Sequence, residues 1–588
     1  MLARLTVLCS THPMKILALM TCALASLPLF HPPLFFESFL YLIFFWISLS
    51  TSWTILGGFS GYVSFGHGAF YGIGVYTMAN FGSRLSFAPS LLLAGLLAAA
   101  IGLGIGSVTF RVRRLRGELF ALLTLSLAIV ISTIVLNTPI DGGPGVMVSG
   151  VAIPHIYENQ SSTVYLMGLC VAVGSIVVAW VIQAAPLGRG LFAISDDEDV
   201  AEVLGVPTFS YKLIAISISS FLAGMMGAVH AIFVSYVTVG ETFSISVPLY
   251  VLLMSILGGA RHWLGPTLGA ILITTISYSF VGGESALVAR AAIGLTLVIA
   301  TIFLPEGLIG LCQRLFKGST KPSTPKIATS AIISAPAQIP AQPAGQPLLE
   351  ARDISMSFRG LRALDSVNLT INSGEILGLV GPNGSGKSTL INVITGFYNP
   401  TGGALFLDSR DITRSSGHDR ARMGIARTFQ IPRPFARESV LENIMTPAQF
   451  GAHYKSRGDA EARAIQAIEF VGLKDRIHAL PGELNLHQRK FLELARVLAS
   501  GSNLIMLDEV LAGLTPKEIS EAIEMVGKIH AMGKTILFVE HNIRAVLELS
   551  DRLIVLNQGQ IVANGYPQEV MSDPAVVTAY LGADHADN

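Results

Sequence analysis

Charge is scarce in this chain. Asp, Glu, Lys and Arg make up 13% of its 588 residues, against about 25% in soluble globular proteins, which excludes a wholly water-exposed fold. The mean hydropathy of +0.59 agrees. The charge that is present balances to zero at pH 7, so net charge lends no support to nucleic-acid binding. Cysteine is scarcer still. Cys9, Cys22, Cys170 and Cys312 lie in or beside apolar segments without metal-ligand spacing. They read as reduced, buried or lipid-facing thiols and imply no disulfide framework. The N-terminal apolar run from Ile16 lacks a small-residue cleavage site before more apolar sequence follows. It is therefore expected to be a retained first span rather than a removed signal.

Long apolar runs are what the first half does have. Stretches near the length of about 20 residues needed to cross a bilayer recur along it. Spans are predicted at 15–33, 35–56, 62–82, 88–109, 118–137, 163–185, 211–236, 247–259, 264–282 and 288–305. This predicts an all-α polytopic membrane domain of about ten spans, the eighth short enough to be a broken or re-entrant helix. Arg111, Arg113, Arg114 and Arg116 crowd one loop, and Arg314 and Lys317 follow the last span. Both places are expected to be cytoplasmic. Ten spans then put both termini in the cytoplasm, as Arg4 and Lys15 suggest, with the loop 138–162 outside. The expected location is the cytoplasmic (inner) membrane. His67 lies in an apolar span beside Gly66 and Gly68. An ionisable residue there is a candidate functional group. The preferred reading is a histidine bonded to a neighbouring helix that the glycines allow close.

One stretch expected in the cytoplasm, 185–205, is polar and amphipathic. Phe192, Ala193, Val200, Val203 and Leu204 can line one side of short helices, with Asp196, Asp197, Glu198 and Asp199 pointing elsewhere. Such an element between spans can dock in a groove on an ATPase; an ordinary solvated loop is the alternative.

The second half differs in kind. Residues 318–347 are rich in Pro, Ala, Ser and Thr without apolar periodicity, as in a flexible to semi-extended tether. The predicted organisation is therefore a membrane domain over 1–317, a linker over 318–347 and a second domain over 348–588. Residues Gly381 to Thr389 spell a phosphate-binding loop, GxxxxGK[ST], after an apolar strand, 375–380, and before a helix, 390–395. The backbone N–H groups of Gly381, Asn383, Gly384, Ser385 and Gly386 can turn inward around phosphates. Lys387 reaches the β- and γ-phosphates, and Ser388, followed by Thr389, offers a hydroxyl to Mg²⁺. ATP and Mg²⁺ are thus the expected cofactors, on an α/β P-loop fold.

Other residues fit the same chemistry. Leu504 to Glu509 is an apolar strand ending in two carboxylates. Asp508 is placed to hold Mg²⁺ through water and Glu509 to polarise the attacking water. His541 ends the strand 535–541, where it can reach the γ-phosphate. Gln430, after Arg427-Thr-Phe, can touch Mg²⁺ and the water. Phe358, upstream of the phosphate loop, can stack on adenine or sit in the core.

In the order Phe358, Lys387, Gln430, Asp508-Glu509, His541, these residues resemble the nucleotide-binding domain of ABC transporters, over about 348–582. Asn392-Val-Ile-Thr-Gly-Phe-Tyr398 and Ala426-Arg-Thr-Phe-Gln430 resemble the ATPase of branched-chain amino acid importers. The first half resembles the permease of the same importers. The residues that carry this likeness are 61–72, 116–124, 188–198, Leu257-Gly-Gly259 with Gly265-Pro266, and Pro305-Glu-Gly-Leu308. The resemblance implies ATP-driven import of branched-chain or related amino acids by a permease–ATPase fusion. It implies a second permease, a second ATPase as heterodimer partner, and an extracytoplasmic solute-binding protein. It makes 186–206 the coupling segment, with Gly188, Arg189, Phe192, Asp196, Asp197 and Glu198 as candidates. In frame with it, adenine stacking by Phe358 is the preferred role.

Two departures stand out. The ABC signature, commonly LSGGQ, is matched by Leu484-Asn485-Leu486-His487-Gln488. Asn485 replaces the serine hydroxyl, and His487 replaces a glycine whose backbone approaches phosphate. Val510 to Thr515 stands where relatives usually carry Pro and a terminal Asp or Asn. The site built from this signature is expected to be impaired, and the one built from Lys387, Glu509 and His541 competent. An exporter of small molecules, or a nucleotide-gated sensor without net transport, are the alternative readings of a membrane domain followed by an ATPase.

Overall fold

The computed structural model describes residues 13–112, 115–141, 143–154, 156–279, 294–295, 304, 307–316, 345–358, 360–574 and 576. The predicted span 288–305 falls mostly outside these residues. So do the end of the predicted span 264–282, most of the linker 318–347, and Arg4, Cys9, Arg113, Arg114, Pro305, Glu306 and Lys317. The chain divides into two compact units. One comprises residues through Ser195 with Phe209–Ile327; the other comprises Asp196–Thr208 with Ala328–Asn588.

The first unit is helical. Its longer helices include α1 (Pro13–Ser26), α2 (Leu34–Trp53), α3 (His67–Leu85), α4 (Phe87–Thr109), α5 (Glu118–Leu136) and α6 (Gln160–Ala184). They continue with α7 (Pro186–Val203), which runs into the second unit, α8 (Thr208–Val234), α9 (Ser246–Gly258) and α10 (Gly265–Ser279). Six helices among the described residues are long and apolar enough to cross a membrane. They are Leu34–Gly58, Phe87–Thr109, Glu118–Leu136, Gln160–Ala184, Thr208–Val234 and Val239–Gly258. Each of the six coincides with one of the ten predicted spans, and the count of ten is not confirmed among the described residues. Helices α1, α3 and α10 occupy predicted spans without joining that set. The reason is clear for α3: most of its residues are buried against other helices, so its glycines and polar groups face protein rather than lipid. By contrast α4 and α5 expose leucine and isoleucine, including Leu92, Leu96, Leu122 and Ile129, as lipid-facing helices should.

The predicted span 62–82 begins late. Gly61 takes φ +75°, and the helix starts only at His67. The indole N–H of Trp53 donates to the Ser64 carbonyl at 2.9 Å, and the Phe65 N–H donates to Thr124 Oγ1 at 3.1 Å. A π-helical turn, Thr54–Gly58, continues α2, and the non-helical stretch 61–66 that follows is mostly buried, with backbone groups satisfied by neighbouring helices, as such a stretch requires. Close helix contact rests on glycine: a Cβ on Gly74 of α3 would fall 1.9 Å from the Gly224 carbonyl oxygen of α8. His67 Nε2 lies 2.7 Å from Ser219 Oγ of α8, so the histidine bonds to a neighbouring helix. The two-residue strands Val146–Met147 and Tyr236–Val237 pair antiparallel.

The second unit carries two sheets. Strands β1 (Pro347–Phe358), β2 (Leu361–Asn372), β4 (Gly402–Leu407) and β5 (Arg410–Asp411) form an antiparallel sheet in the order β2-β1-β4-β5. Strands β3 (Ile376–Val380), β6 (Ile425–Arg427), β7 (Leu504–Asp508), β8 (Thr535–Val539), β9 (Arg552–Asn557) and β10 (Gln560–Gly565) form the other. Its order is β10-β9-β3-β8-β7-β6, parallel except for the β9–β10 hairpin. Every residue of β3, β7 and β8 is buried, which is why these strands read as continuous apolar runs. The helices that matter below are α11 (Lys387–Ile394), α12 (Val440–Phe450), α13 (Leu486–Ala499) and α14 (Pro516–Ala531).

Candidate functional site

The parallel strands β3, β7 and β8 lie side by side. Their C-terminal ends therefore bring together the phosphate loop, Asp508-Glu509 and Glu540-His541, where open α/β sheets bind ligands. The phosphate loop turns from β3 into the N-terminus of α11. A Cβ on Gly381 would fall 2.1 Å from the Leu556 carbonyl oxygen, and one on Gly386 (φ +110°) 2.6 Å from that of Ala363. Only glycine allows this cradle. Lys387 folds back over it, donating to the carbonyls of Gly381 at 2.7 Å and Pro382 at 3.0 Å. Burial holds its ammonium below the usual lysine range, against the opposing pull of Glu509 and Asp508. Ser385 Oγ is buried without a hydrogen-bond partner among the described residues. Asn383, Gly384 and Ser388 are exposed and Thr389 half-buried. A glycine cradle at a helix N-terminus, with its lysine resting on carbonyls, fits a polyphosphate.

Two carboxylates face this cradle. Asp508 is buried, and its carboxyl is raised from the ordinary value by burial, with Arg427 pulling it down. Its Oδ2 lies 3.7 Å from the Arg427 guanidinium, and its N–H donates to Thr428 Oγ1 at 3.0 Å. Glu509 adopts φ +49°, an uncommon conformation for a residue with a side chain. Gln430 Nε2 donates to its Oε2 at 2.7 Å, and His541 Nε2 lies 3.0 Å from its Oε1. The structure thus joins Gln430, Glu509 and His541, three residues distant in sequence, in one contact set. With Lys387 beside them, Asp508 and Ser388 are oxygen donors of the kind that suits Mg²⁺. Phe358 is half-buried and meets Tyr398 edge-on, with ring centres 5.2 Å apart.

Three further neighbours complete the site. Lys490 of α13 donates to the Glu509 carbonyl at 2.9 Å. Glu540 is buried and accepts from the Leu511 N–H at 2.7 Å; burial pushes its carboxyl up to about 7. Arg427 also donates to Asn392 Oδ1 and lies over Phe429. Glu540 precedes His541 and could have been suspected. Lys490 could not, because its partner is a backbone carbonyl.

The altered signature is a helix cap. Asn485 Oδ1 accepts from the Gln488 N–H at 2.8 Å, and Gln488 Oε1 accepts from the Asn485 N–H at 3.1 Å, a capping box on α13. The amide NH₂ is the donor this side chain has left. His487 lies against Phe491, ring centres 4.0 Å apart, with Nε2 3.6 Å from Glu521. Leu486 is exposed. Thr515, at the end of the other departed stretch, caps α14 through its own box with Glu518.

The coupling candidates split into two groups. Gly188, Arg189 and Phe192 belong to the first unit, where Phe192 meets Phe59 edge-on and lies under the Arg261 guanidinium. Asp196, Asp197 and Glu198 belong to the second. The break falls at Asp197, whose φ of −158° and ψ of 101° are not helical. Its Oδ1 accepts from the Val200 N–H at 3.1 Å, capping the turn that follows. Its Oδ2 lies 2.6 Å from the Arg433 guanidinium, and Asp196 Oδ2 accepts from the Arg437 N–H at 3.1 Å. Asp197 is paired and Glu198 is buried. Arg433 lies three residues beyond Gln430. One short loop therefore contacts Glu509 at one end and Asp197 at the other.

This arrangement defines an ATP-binding cassette, and comparison with known proteins agrees. The ABC transporter family matches residues 364–512. The branched-chain amino acid transport system permease component matches 35–301, and the branched-chain amino acid ATP-binding cassette transporter family matches 560–586. The chain is 38% identical over 251 residues to the high-affinity branched-chain amino acid transport ATP-binding protein LivG of Salmonella typhimurium, covering 40% of this chain and 98% of LivG. It is 35% identical over 251 residues to BraF of Pseudomonas aeruginosa, with the same coverage. A nucleotide-free ATP-binding cassette from an ABC transporter aligns at 33% identity, covering 40% of this chain and 99% of that one, with a TM-score of 0.37. The chain belongs to the branched-chain amino acid ABC transporter family, with permease and ATPase fused in one polypeptide. It is a membrane-embedded ATPase coupled to transport.

Proposed function

We propose that this chain imports branched-chain amino acids across the cytoplasmic membrane, as one permease and one ATPase of a larger importer. The observation that carries this is the union, in one chain, of the permease-component match over 35–301 with a cassette 38% identical to LivG. A second permease, a second ATPase forming a heterodimer, and an extracytoplasmic solute-binding protein complete the assembly. Both termini are cytoplasmic.

In the proposed mechanism the loop from Gly381 to Thr389 and Lys387 hold the phosphates, and Phe358 stacks on the adenine. Asp508, Ser388 and Gln430 would hold Mg²⁺, which neutralises phosphate charge when bound. Glu509 orients and deprotonates the attacking water, while Gln430 and His541 hold its two oxygens in place. The segment from Gly188 to Glu198 transmits the motion, with the loop from Gln430 to Arg437 as its link to the ATP site. The test is uptake of radiolabelled L-leucine by cells that lack other leucine importers. Wild type should accumulate leucine, and Glu509→Gln should abolish uptake while ATP binding survives. Wild-type cells that accumulate no branched-chain amino acid would overturn the import reading.

A further inference from the structure

The first unit contains a cavity of about 250 Å³ that the ATPase chemistry does not use. Its walls include Phe45 and Trp46 of α2, Tyr71 of α3, His230 of α8, Glu241 of the α8–α9 connection and Val247 of α9. The aromatic side is preassembled. Phe45 stacks on His230 with ring centres 4.2 Å apart and meets Tyr71 edge-on at 5.6 Å. Trp46 meets Phe45 at 4.8 Å. His230 is held from behind by Tyr41, whose hydroxyl lies 3.3 Å from its Nδ1. Such stacked rings give a rigid apolar wall that loses little entropy when an alkyl group lies on it.

The other side is acidic. Glu241 is exposed and makes no hydrogen bond or ion pair through its side chain among the described residues. The same holds for the Tyr71 hydroxyl and the Trp46 indole N–H. One carboxylate, hydroxyl and indole donors and an aromatic wall around one cavity match a small zwitterion with an apolar side chain. A carboxylate receives an ammonium group, and hydroxyl and indole donors suit a carboxylate. An inorganic cation would want several oxygens, whereas a neutral hydrocarbon would want none.

We propose that this cavity is a substrate site of the permease for an α-amino acid with an aliphatic side chain. Glu241 takes the ammonium, Tyr71 and Trp46 the carboxylate, and Phe45 with His230 the alkyl group. This rests on the import reading and specifies its site. The cavity lies by the Tyr236–Val237 strand, which pairs with Val146–Met147 of the segment expected outside. A substrate released by an extracytoplasmic binding protein would meet it first.

The experiment is leucine uptake by the complete transporter in cells, with membrane levels of each variant checked by immunoblot. Glu241→Gln should raise the KM for L-leucine tenfold or more and leave ATPase activity without substrate unchanged. Glu241→Asp should restore most of the affinity. Val247→Trp, which fills the cavity, should impair uptake of leucine more than of alanine. Uptake by wild type with a KM unchanged within twofold in Glu241→Gln would overturn the site and leave import standing. Equal impairment of leucine and alanine by Val247→Trp would also overturn it. Absence of leucine uptake by wild type would overturn the import reading and this site together.

Discussion

Glu540 shows how one buried carboxyl can tie stability to pH. Water is excluded around it, and its neutral form is favoured, so its pKa rises from 4.5 to about 7. In the unfolded chain the group ionises at the lower value. Its contribution to stability is thus full below pH 4.5 and is lost as pH rises through about 7. At about 1.36 kcal/mol per unit, the loss is on the order of 3 kcal/mol. Thermal unfolding of the detergent-solubilised chain from pH 5 to 8 should show that slope in wild type. Glu540→Gln should flatten it while keeping the acceptor for Leu511. An unchanged slope would show that other groups set it. Asp508 differs, because Arg427 offsets part of its burial. Glu509, held by Gln430 and His541, is the carboxylate proposed to orient the water.

At the scale of elements, the turn at Asp197 serves two purposes with two oxygens. One caps the turn that follows, and the other pairs with Arg433. Substitutions separate them. Asp197→Asn keeps a good cap and removes the charge, and Asp197→Ala removes both, at a further cost of about 1 kcal/mol. The ion pair is partly exposed, so its loss alone should cost at most about 1 kcal/mol of stability. Its effect should appear in coupling. Asp197→Asn should keep basal ATP hydrolysis and lower the stimulation of hydrolysis by substrate. Arg433→Glu should match it, and the double reversal Asp197→Arg with Arg433→Glu should recover part of the loss. Full uptake in all three would make the contact a passive surface pair. Ala201→Pro, inside the turn that follows, should be harsher, because proline in a helix costs about 3 kcal/mol.

For the whole molecule the question is how two ATP sites share one cycle. In the proposed heterodimer, this chain contributes Lys387, Asp508, Glu509 and His541 to one site, and Asn485 and His487 to the other. Asn485 Oδ1 is already committed to the helix cap. A missing hydrogen bond to charged phosphate is worth about 1.5–3 kcal/mol, a slowing of about tenfold or more. Glu509→Gln should therefore remove nearly all hydrolysis, whereas the equivalent change in the partner ATPase should leave much of it. Restoring the serine and the second glycine of the signature with Asn485→Ser and His487→Gly in the Glu509→Gln background should raise the residual rate severalfold. Equal losses from the two glutamate changes would show that both sites fire and that Asn485 suffices.

Much of this was legible in the residues themselves. Periodic and continuous apolar runs located the helices and buried strands. The glycine-lysine spacing located the phosphate loop, because only that backbone can wrap an anion. The tally of spans was less legible. Helix α3 is diluted by glycines and polar groups that other helices bury, and hydropathy measures affinity for lipid, not burial in protein. The partners of Asp196 and Asp197 were not legible, because nothing local names Arg433 and Arg437, which are more than two hundred residues away. Lys490 was silent because a lysine bonded to a carbonyl leaves no pattern. Local chemistry is written in spacing, so the sequence by itself determined the class of each element and the residues of the phosphate loop. The tertiary structure alone decided what meets what: Glu509 with Gln430 and His541, Asp197 with Arg433, and Glu241 with an aromatic wall. Those pairings follow from how strands and helices stack, and contacts across such distances are set by packing of the whole chain.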